Sequence, residues 1–245
     1  MSGTDSGAWE SFGERLAEMA RDLLAQESVQ ETLDRIGVHA VNLVDGCEDA
    51  GILTIDRGEV ATLSATSDLV RDSDRLQGEV GQGPCYDATR HHGRVYRIRD
   101  TEHESRWPLY VPEARKLGIG SMIGFLLYTA DDNLGALNLY SPHPGAFTDR
   151  SEQIGWLLAS HAAVAFSSAR THAQLNTALE TRHEIGEAIG ILMGRYKLTE
   201  DQAFAVMRTA SQEHNIKLRD IARTVTETGD TPRPDPQLDE HPPTR

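Results

Sequence analysis

Apolar residues recur at helical spacing in three successive runs near the C-terminus. Each run shows the i, i+3, i+4, i+7 pattern that places one face of a helix in a core. Gly229 follows the third run and marks its end, because glycine readily adopts the left-handed backbone that closes a helix. The pattern predicts three short helices that share one core. The predicted core positions are Ile185, Ile189, Leu192 and Met193, then Ala203, Phe204, Met207 and Ala210, then Leu218, Ile221, Ala222 and Val225.

The boundaries between these helices carry their own signals. Thr199 is followed three positions later by Gln202, the spacing at which two side chains satisfy the unpaired N–H groups of a helix start. We therefore place the start of the second helix at Thr199 and assign Gly194 and residues 196–198 to the preceding turn. Asn215 tolerates left-handed backbone geometry and marks the end of the second helix.

Upstream, apolar and β-branched runs alternate with turn residues, which is typical of short strands. Residues 9–36 have the spacing of one or two amphipathic helices. The pattern predicts an α+β domain built on one antiparallel sheet of five to six strands. The predicted strands are 51–56, 59–65, 94–99, 121–129 and 134–140, and the predicted helices are 68–76, 86–90 and 109–116.

A long helix is predicted to link the two parts, and its apolar positions over 154–193 follow a heptad. The apolar character weakens in the middle of the stripe. One interpretation is a parallel pair of helices that forms a homodimer through 154–193, and the other is a helix that packs on its own domain with a polar hinge. The two heptad series are Ile154, His161, Ser168, Leu175, Arg182 and Ile189, and Leu157, Val164, Thr171, Ala178, Ile185 and Leu192.

Composition narrows the functional classes. The 245 residues are long enough for two cores, but the formal net charge of -14 argues against a broad basic surface for nucleic acid. Residues 170–229 are balanced, with eight basic and eight acidic side chains, so RNA binding there must depend on a few placed cations. The basic residues are Arg170, Arg182, Arg195, Lys197, Arg208, Lys217, Arg219 and Arg223, and the acidic ones are Glu180, Glu184, Glu187, Glu200, Asp201, Glu213, Asp220 and Glu227.

Three features of the sequence indicate where in the cell the protein is located. The first ten residues have neither a cationic start nor an apolar stretch, so they do not read as a signal peptide. The uncharged run 153–169 is shorter than a membrane span and contains several polar residues. Two cysteines fit a reducing compartment better than a disulfide framework. We expect a soluble, cytoplasmic protein without a membrane segment, ending in a disordered proline-rich tail at 230–245.

The C-terminal stretch also carries a set of residues at fixed spacings. They are Ala178-Leu179, Arg182, Ile185, Gly190-Ile191-Leu192-Met193, Ser211, Asn215, Leu218-Arg219 and Ala222. This set resembles the ANTAR domain. The resemblance implies an RNA-binding module that acts on nascent transcripts by favouring an antiterminator hairpin over a terminator.

Candidate RNA contacts follow from that resemblance and from the chemistry of the side chains. Guanidinium groups pair with phosphates and stack on unpaired bases, and both contacts suit a single-stranded loop. Positions 208, 211 and 215 share one face of a helix or its end. We interpret Arg223 as an ordinary surface charge. The predicted RNA-binding residues are Arg182, Arg195, Arg208, Ser211, Asn215, Lys217 and Arg219.

The upstream domain carries a second ordered set of motifs. They are Gly83-Pro84-Cys85, Arg106-Trp107-Pro108, Ala114, Gly118, Ser121, Gly135 to Tyr140, Phe147 and Ala159 to Ala163. Over 28–168 this order resembles a GAF domain, which implies either small-molecule binding or a dimerisation scaffold. Candidate pocket residues are Cys85, Tyr86, Trp107, Tyr110, Ser121, Asn138 and Tyr140. The alternative is that the aromatic residues and the cysteine are ordinary core.

Three chemical alternatives are disfavoured by residue spacing. A zinc site is disfavoured because no cysteine has a second ligand close by in sequence. Redox chemistry is disfavoured because there is no Cys-x-x-Cys motif, and a phosphate-accepting histidine is disfavoured because no nucleotide-binding domain follows it. We therefore expect no metal, no cofactor and no catalysis. The groups considered are Cys85 with His91, His92 and His103 as zinc ligands, Cys47 with Cys85 as a redox pair, and His183 as a phosphate acceptor.

The sequence thus predicts an N-terminal helix at 1–27, a GAF-like sensor at 28–168, an ANTAR module at 169–229 and the tail. The predicted function is antitermination, with the sensor controlling a module that binds hairpin loops of nascent RNA as a dimer. The alternative is a ligand-sensing scaffold whose helical C-terminus binds a protein.

Overall fold

The computed structural model describes residues 3–56, 58–91, 95–130 and 132–231. The chain forms two compact units that divide between His172 and Ala173. The first contains α1 (Gly3–Leu24), α2 (Val29–Leu43), β1 (Asp49–Asp56), β2 (Glu59–Ala65), α3 (Asp68–Val80), α4 (Pro84–His91), β3 (Val95–Ile98), α5 (Val111–Lys116), β4 (Ser121–Tyr128) and β5 (Asn133–Ser141). Helix α6 (Asp149–Tyr196) contains the division, and α7 (Glu200–His214) and α8 (Leu218–Thr228) follow it.

The first unit is built on one five-stranded sheet with the order β2-β1-β5-β4-β3. Every neighbouring pair of strands is antiparallel, which confirms the predicted α+β class and its antiparallel sheet. The predicted strand at 94–99 corresponds to Val95–Ile98, and Arg94 lies outside the described residues. Arg57, in the predicted β1–β2 turn, also lies outside them.

Helices cover both faces of this sheet. In β4, Ile123 and Phe125 join the core that contains α1, α2 and the start of α6, while Met122 joins the core that contains α3, α4 and α5. Successive residues of a strand point to opposite faces, so a strand buried on both sides has no polar alternation. Seven of the eight residues of β4 are accordingly buried.

The N-terminal helix packs in the first of these cores through Met19 and Leu23. An ion cluster joins it to α2: the Asp22 carboxylate lies 2.7 Å from an Arg35 guanidinium nitrogen and 2.7 Å from Nε2 of His39. The His39 and Arg35 contacts hold the pKa of Asp22 below its usual range.

The helical unit has its own core, formed by α7, α8 and the C-terminal part of α6. The predicted capping pair is confirmed: Thr199 caps α7 and exchanges hydrogen bonds with Gln202. Asn215 ends α7 in the left-handed conformation (φ 51°), and Gly229 ends α8 with φ 77°. The buried members of this core are Ala188, Leu192, Ala203, Met207, Ala210, Ile221, Ala222 and Val225.

Four details of the predicted helices were wrong. Gly194 and Tyr196 belong to α6 rather than to the turn after it. Met193 is 36% exposed and Phe204 is 39% exposed, although both were predicted to be buried. Each of those apolar residues follows a buried one in sequence, and one residue corresponds to about 100° of rotation around a helix. The preceding residues, Leu192 and Ala203, therefore point into the small core, and the side chains of Met193 and Phe204 lie at the surface.

Helix α6 is used differently in the two units. Ile154, Leu158 and Ala162 are buried in the core of the first unit, so Ile154 faces its own domain and not a partner helix. By contrast, residues 173–180 of the second unit are all exposed. Within the described residues, no helix is long and apolar enough to cross a membrane.

Candidate functional site

The last turn of α6 holds a cation against the end of α8. Nη1 of Arg195 donates a hydrogen bond of 3.0 Å to the backbone oxygen of Gly229. The same guanidinium lies 5.6 Å from the ring centroid of Tyr196, within the range of a cation–π contact. Lys197 follows in the left-handed conformation, with φ 57°. Arg195 is therefore held in place by contacts on two sides.

Two of the predicted RNA contacts, Ser211 and Asn215, lie at the turn between α7 and α8. Oγ of Ser211 donates 2.6 Å to the backbone oxygen of Ile216, and the N–H of Ile216 donates 3.1 Å to the backbone oxygen of Ser211. Ser211 thus closes the turn around Asn215, with its hydroxyl engaged by the protein. Asn215 itself is exposed, so its amide stays accessible to a ligand.

The remaining predicted contacts are exposed cations on three elements. Arg182 lies on α6, Arg208 on α7, and Lys217 and Arg219 at the start of α8. Arg219 lies 3.7 Å from Asp220, a long contact that leaves the guanidinium 43% exposed. Among the described residues, the other three cations form no ion pair, so their charge faces solvent.

Arg223, which we interpreted as a surface charge, pairs with Glu184 of α6 at 3.6 Å. His183, the disfavoured phosphate acceptor, is exposed on the same helix.

The exposed part of α6 in the second unit carries apolar side chains that no other described element covers. Leu175 is 58% exposed and Leu179 is 65% exposed. Their spacing of four residues places them on one side of the helix. A shallow groove beside them is lined mainly by small side chains, which permit close approach of another helix. The lining residues are Ala173, Gln174, Thr177, Ala178, Thr181, Arg182 and Ile185.

In the first unit, polar side chains of α3 face the sheet. Ser73, Asp74 and Gln77 are completely buried, at the positions where a helix normally places apolar core residues. Helix α3 approaches closely because β1 has a glycine beneath it: a Cβ on Gly51 would lie 2.2 Å from Cγ1 of Val70. The close approach brings the three polar side chains onto the central strands.

Asp74 joins three elements through its carboxyl group. Oγ1 of Thr62 in β2 donates to Oδ2 at 2.9 Å, and the hydroxyl of Tyr140 in β5 donates to Oδ1 at 3.3 Å. Burial raises the pKa of Asp74 to about 7, although the two hydroxyl donors, the Asn138 amide and the charge of Arg71 lower it in part. The carboxyl thus holds its proton to a much higher pH than an exposed aspartate does.

A second set of contacts surrounds Asn138 of β5. The N–H of Cys85 donates 3.1 Å to Oε1 of Gln77, and the Cys85 thiol donates to Oδ1 of Asn138. Nε2 of Gln77 and Nδ2 of Asn138 complete no hydrogen bond of ordinary geometry within the described structure. Each amide is nevertheless close enough to act as a weak donor, since Asn138 lowers the pKa of the Asp74 carboxyl and Gln77 lowers that of the Cys85 thiol. Buried amide nitrogens normally find a partner, so this pair can donate to a small bound molecule or to water.

Glycines in the neighbouring strands make room for that amide. Gly51 and Gly124 are the register partners of Asn138 in β1 and β4. A Cβ on Gly124 would lie 3.2 Å from Oδ1 of Asn138 and 3.5 Å from the Cys85 sulfur. An alanine there would therefore crowd the amide and the thiol together.

All seven predicted pocket residues are buried, but they do not form one group. Four belong to the polar network around Asp74: Cys85, Tyr110, Asn138 and Tyr140, with Tyr110 bonded to Ser73 at 2.8 Å. The other three are Trp107, Ser121 and Tyr86; Trp107 donates 2.8 Å to Asp87, Ser121 donates 2.7 Å to the His143 backbone oxygen, and Tyr86 is buried on α4.

The residues that sequence reasoning missed are Thr62, Ser73, Asp74 and Gln77. The spacing of Val70, Ser73, Asp74 and Gln77 is itself a helical core pattern, but three of the four positions are polar. Polar residues at core spacing are therefore the signal by which this site could have been found.

The thiols have environments unlike those of reactive cysteines. Cys47 belongs to the core on one face of the sheet and Cys85 to the core on the other, so the two cannot form a redox pair without unfolding. Burial raises the pKa of Cys47 to about 12 and that of Cys85 well above its usual value. Both thiols are protonated at neutral pH, whereas the thiolate is the reactive form.

The histidines considered as zinc ligands are only partly within the described residues. His103 is exposed and contacts Asp100 at 2.7 Å, which raises its pKa, while His92 and the side chain of His91 lie outside the described part. Among described residues, no group of three or more His, Cys, Asp or Glu side chains is arranged to hold a metal ion.

Solved structures show where this fold occurs elsewhere. The chromophore-binding domain of a bacteriophytochrome from R. palustris matches with a TM-score of 0.52 and 10% identity, covering 66% of this chain and 63% of that one. A longer bacteriophytochrome structure from the same organism matches with a TM-score of 0.59 and 10% identity, covering 82% of this chain and 47% of that one.

A third match is a free methionine-R-sulfoxide reductase from Neisseria meningitidis in complex with its substrate. Its TM-score is 0.50 at 15% identity, and the match covers 66% of this chain and 91% of the reductase. The chain thus spans less than two thirds of the bacteriophytochromes it matches, and at these identities the likeness concerns the fold alone. Among curated proteins, none matches the sequence significantly.

Family comparison gives the more specific result. Residues 26–167, more than half of the chain, match the GAF domain. Residues 173–225 match the ANTAR domain, which covers the exposed leucines, the capped helix α7 and most of α8. The chain belongs to the GAF-domain family and carries a C-terminal ANTAR domain.

Proposed function

We propose that this protein is an antitermination regulator whose ANTAR unit binds hairpin loops of nascent transcripts as a dimer, under the control of its GAF unit. ANTAR domains are RNA-binding antitermination regulators, and GAF domains are sensors. The observation that carries the proposal is the ANTAR match at 173–225 together with exposed cations of that unit that are not neutralised by ion pairs.

The distribution of those cations supports loop recognition over a general affinity for nucleic acid. Arg208, Lys217 and Arg219 are exposed on α7 and at the start of α8, with the Asn215 amide between them in sequence. A few charges beside a hydrogen-bonding amide suit an RNA loop, in which phosphates and unpaired base edges are both accessible. The overall net charge of -14 disfavours binding to RNA without such features.

Dimerisation is supported by the uncovered part of α6. Residues 173–180 make up about two helical turns in which every side chain is exposed, including Leu175 and Leu179. Burying a leucine side chain contributes about 1.5 to 3 kcal/mol, so a second copy that covers these residues would stabilise the helix. The small residues beside them allow that copy to approach closely.

The GAF unit is proposed to sense a small molecule at the Asp74 network, without catalysis of its own. Support comes from the two buried amide nitrogens of Gln77 and Asn138, which complete no hydrogen bond of ordinary geometry within the described structure. The protonated, buried thiols are unsuited to nucleophilic chemistry, which favours sensing over turnover.

A gel-shift titration tests RNA binding directly. The probe is an RNA carrying two hairpins with randomised loops, enriched by repeated selection on the wild-type chain. We expect Lys217→Glu/Arg219→Glu to bind at least ten-fold more weakly and with a shallower salt dependence, because two phosphate contacts are lost. The matched control is Arg115→Glu/Lys116→Glu, which reverses two exposed cations on α5 and is expected to leave binding unchanged.

The rival function is a scaffold whose helical unit binds a protein. Phe204 and Val206 on α7 are 39% and 40% exposed, which is the observation in its favour. If selection yields no RNA above the starting pool, or if the Lys217/Arg219 variant binds as tightly as wild type, the RNA proposal is wrong and the scaffold function gains support.

A further inference from the structure

Tyr196 is a large aromatic residue exposed at the C-terminal end of α6. Its side chain is 45% exposed, although aromatic rings usually bury most of their surface. It is the only tyrosine in the second unit, and it lies outside the apolar core that α6, α7 and α8 share. Nearly half of the ring surface is therefore available to a ligand.

The ring is nevertheless held by its neighbour. The Arg195 guanidinium lies 5.6 Å from the ring centroid, and its Nη1 is bonded to the Gly229 backbone oxygen at 3.0 Å. The side chain of Arg195 is therefore anchored to the end of α8, and the tyrosine ring is positioned by that anchored cation. Rigid side chains lose little conformational entropy when they bind a ligand.

Two basic residues flank this ring in sequence. Arg195 lies beside it, and Lys197 follows directly, exposed and with left-handed backbone geometry. A π-surface with adjacent cations is complementary to a nucleotide, because the base stacks on the ring while its phosphate contacts the charges.

We propose that Tyr196 stacks against an unpaired base of the RNA loop, with Arg195 and Lys197 contacting the phosphates beside that base. This inference rests on the proposed RNA-binding function and adds a residue that sequence reasoning assigned to a turn. Arg195 then has two roles: it positions the ring, and it contributes positive charge. Phe204, which is 39% exposed on α7, is the competing aromatic surface.

The test uses the full chain and the selected two-hairpin RNA, with 2-aminopurine replacing each loop adenine in turn. Stacking quenches the fluorescence of this base analogue. We expect one loop position to be quenched by wild type and by Tyr196→Phe, and not by Tyr196→Ala. Affinity should fall roughly 5- to 100-fold in Tyr196→Ala, the range expected for the loss of one base–aromatic stack, and stay near wild type in Tyr196→Phe.

Phe204→Ala is the matched control, because it removes another exposed aromatic ring from the same unit. Its binding and its quenching pattern should match those of wild type. Far-ultraviolet circular dichroism compares the helical content of the variants. Tyr196→Leu, which keeps an apolar side chain without an aromatic face, replaces Tyr196→Ala if that variant folds poorly, and it should likewise lose the quenching.

The outcomes distinguish a failure of the stacking proposal from a failure of the proposed RNA binding. If Tyr196→Ala binds the selected RNA as tightly as wild type, or quenches the same loop position as wild type does, stacking on Tyr196 is wrong while RNA binding stands. If Phe204→Ala alone abolishes quenching, the base stacks on α7 instead. If wild type selects no RNA, the proposed function fails and this inference fails with it.

Discussion

Asp74 is a carboxyl group with no exposure to solvent, between a helix and two strands. Burial disfavours its charged form, and hydroxyl donors from Thr62 and Tyr140 offset that cost only in part. The result is a pKa of about 7, well above the ordinary value for an aspartate.

This raised pKa makes the stability of the first unit depend on pH. Since the pKa of Asp74 is higher in the folded chain than in the unfolded chain, the folded state binds this proton more tightly. The resulting stabilisation is fully present below the unfolded pKa of about 4 and is lost as pH rises to about 7. In the Asp74→Asn variant this dependence is absent.

Chemical denaturation at about pH 5 and about pH 8 measures the effect. We expect the free energy of unfolding of wild type, relative to Asp74→Asn, to fall by about 2 to 3 kcal/mol between those values. Asp72→Asn is the control, since that carboxyl lies on the same helix and stays in contact with solvent. A wild-type pH dependence equal to that of Asp74→Asn would contradict the burial argument.

Single residues differed in how well the sequence predicted them. Thr199, Gln202 and Asn215 were predicted correctly, because caps depend on local hydrogen bonds between residues close in sequence. Asp74 and Gln77 were missed because their burial depends on strands that are distant in sequence and on the glycine beneath α3. Local pattern assigns a polar residue to the surface unless tertiary packing overrides it.

Among the elements, α6 has the most consequential exposed surface. Its first part belongs to the core of the GAF unit, whereas Leu175 and Leu179 are exposed in the second unit. The proposed dimer makes these leucines its centre. Both ends of the predicted heptad lose positions to their own units, because Ile154 packs on the sheet and Leu192 packs in the core of the helical unit.

Analytical ultracentrifugation tests that role of α6. In Leu175→Asp/Leu179→Asp we expect the dimer to weaken by at least 100-fold, since each leucine contributes about 1.5 to 3 kcal/mol on burial. RNA affinity should fall with it, because two linked modules bind more tightly than one.

Leu109→Asp is the control, because Leu109 is 56% exposed in the first unit, close to the 58% of Leu175. This variant should sediment as wild type does. A wild-type monomer at concentrations where RNA binding is complete, or a double variant that remains dimeric, would contradict dimerisation through these leucines.

The strands were predicted nearly to the residue, whereas their burial on both faces was not. Runs such as β4 are apolar at almost every position, which locates a strand without saying which residue faces which core. The two cores of the sheet and the membership of α1 in one of them depend on packing between elements far apart in the chain.

At the scale of the whole molecule, two families meet in one chain: a GAF domain at 26–167 and an ANTAR domain at 173–225. Motif residues at fixed spacing allowed both to be recognised from sequence. The fold similarity to bacteriophytochromes at 10% identity shows how far sequences diverge on this sheet while the architecture is kept. Side chains diverge with the sequence, so the ligand chemistry of those proteins does not carry over to the Asp74 network.

The central claim is that the protein binds hairpin loops of nascent RNA through its ANTAR unit. The most direct test crosslinks RNA to the full chain in cells that produce it and sequences the recovered fragments, with Lys217→Glu/Arg219→Glu processed in parallel. We predict that wild-type fragments concentrate on paired hairpin loops upstream of transcription terminators, and that this enrichment disappears in the variant. An absence of enriched loops with wild type, or the same enrichment in both proteins, would contradict the account.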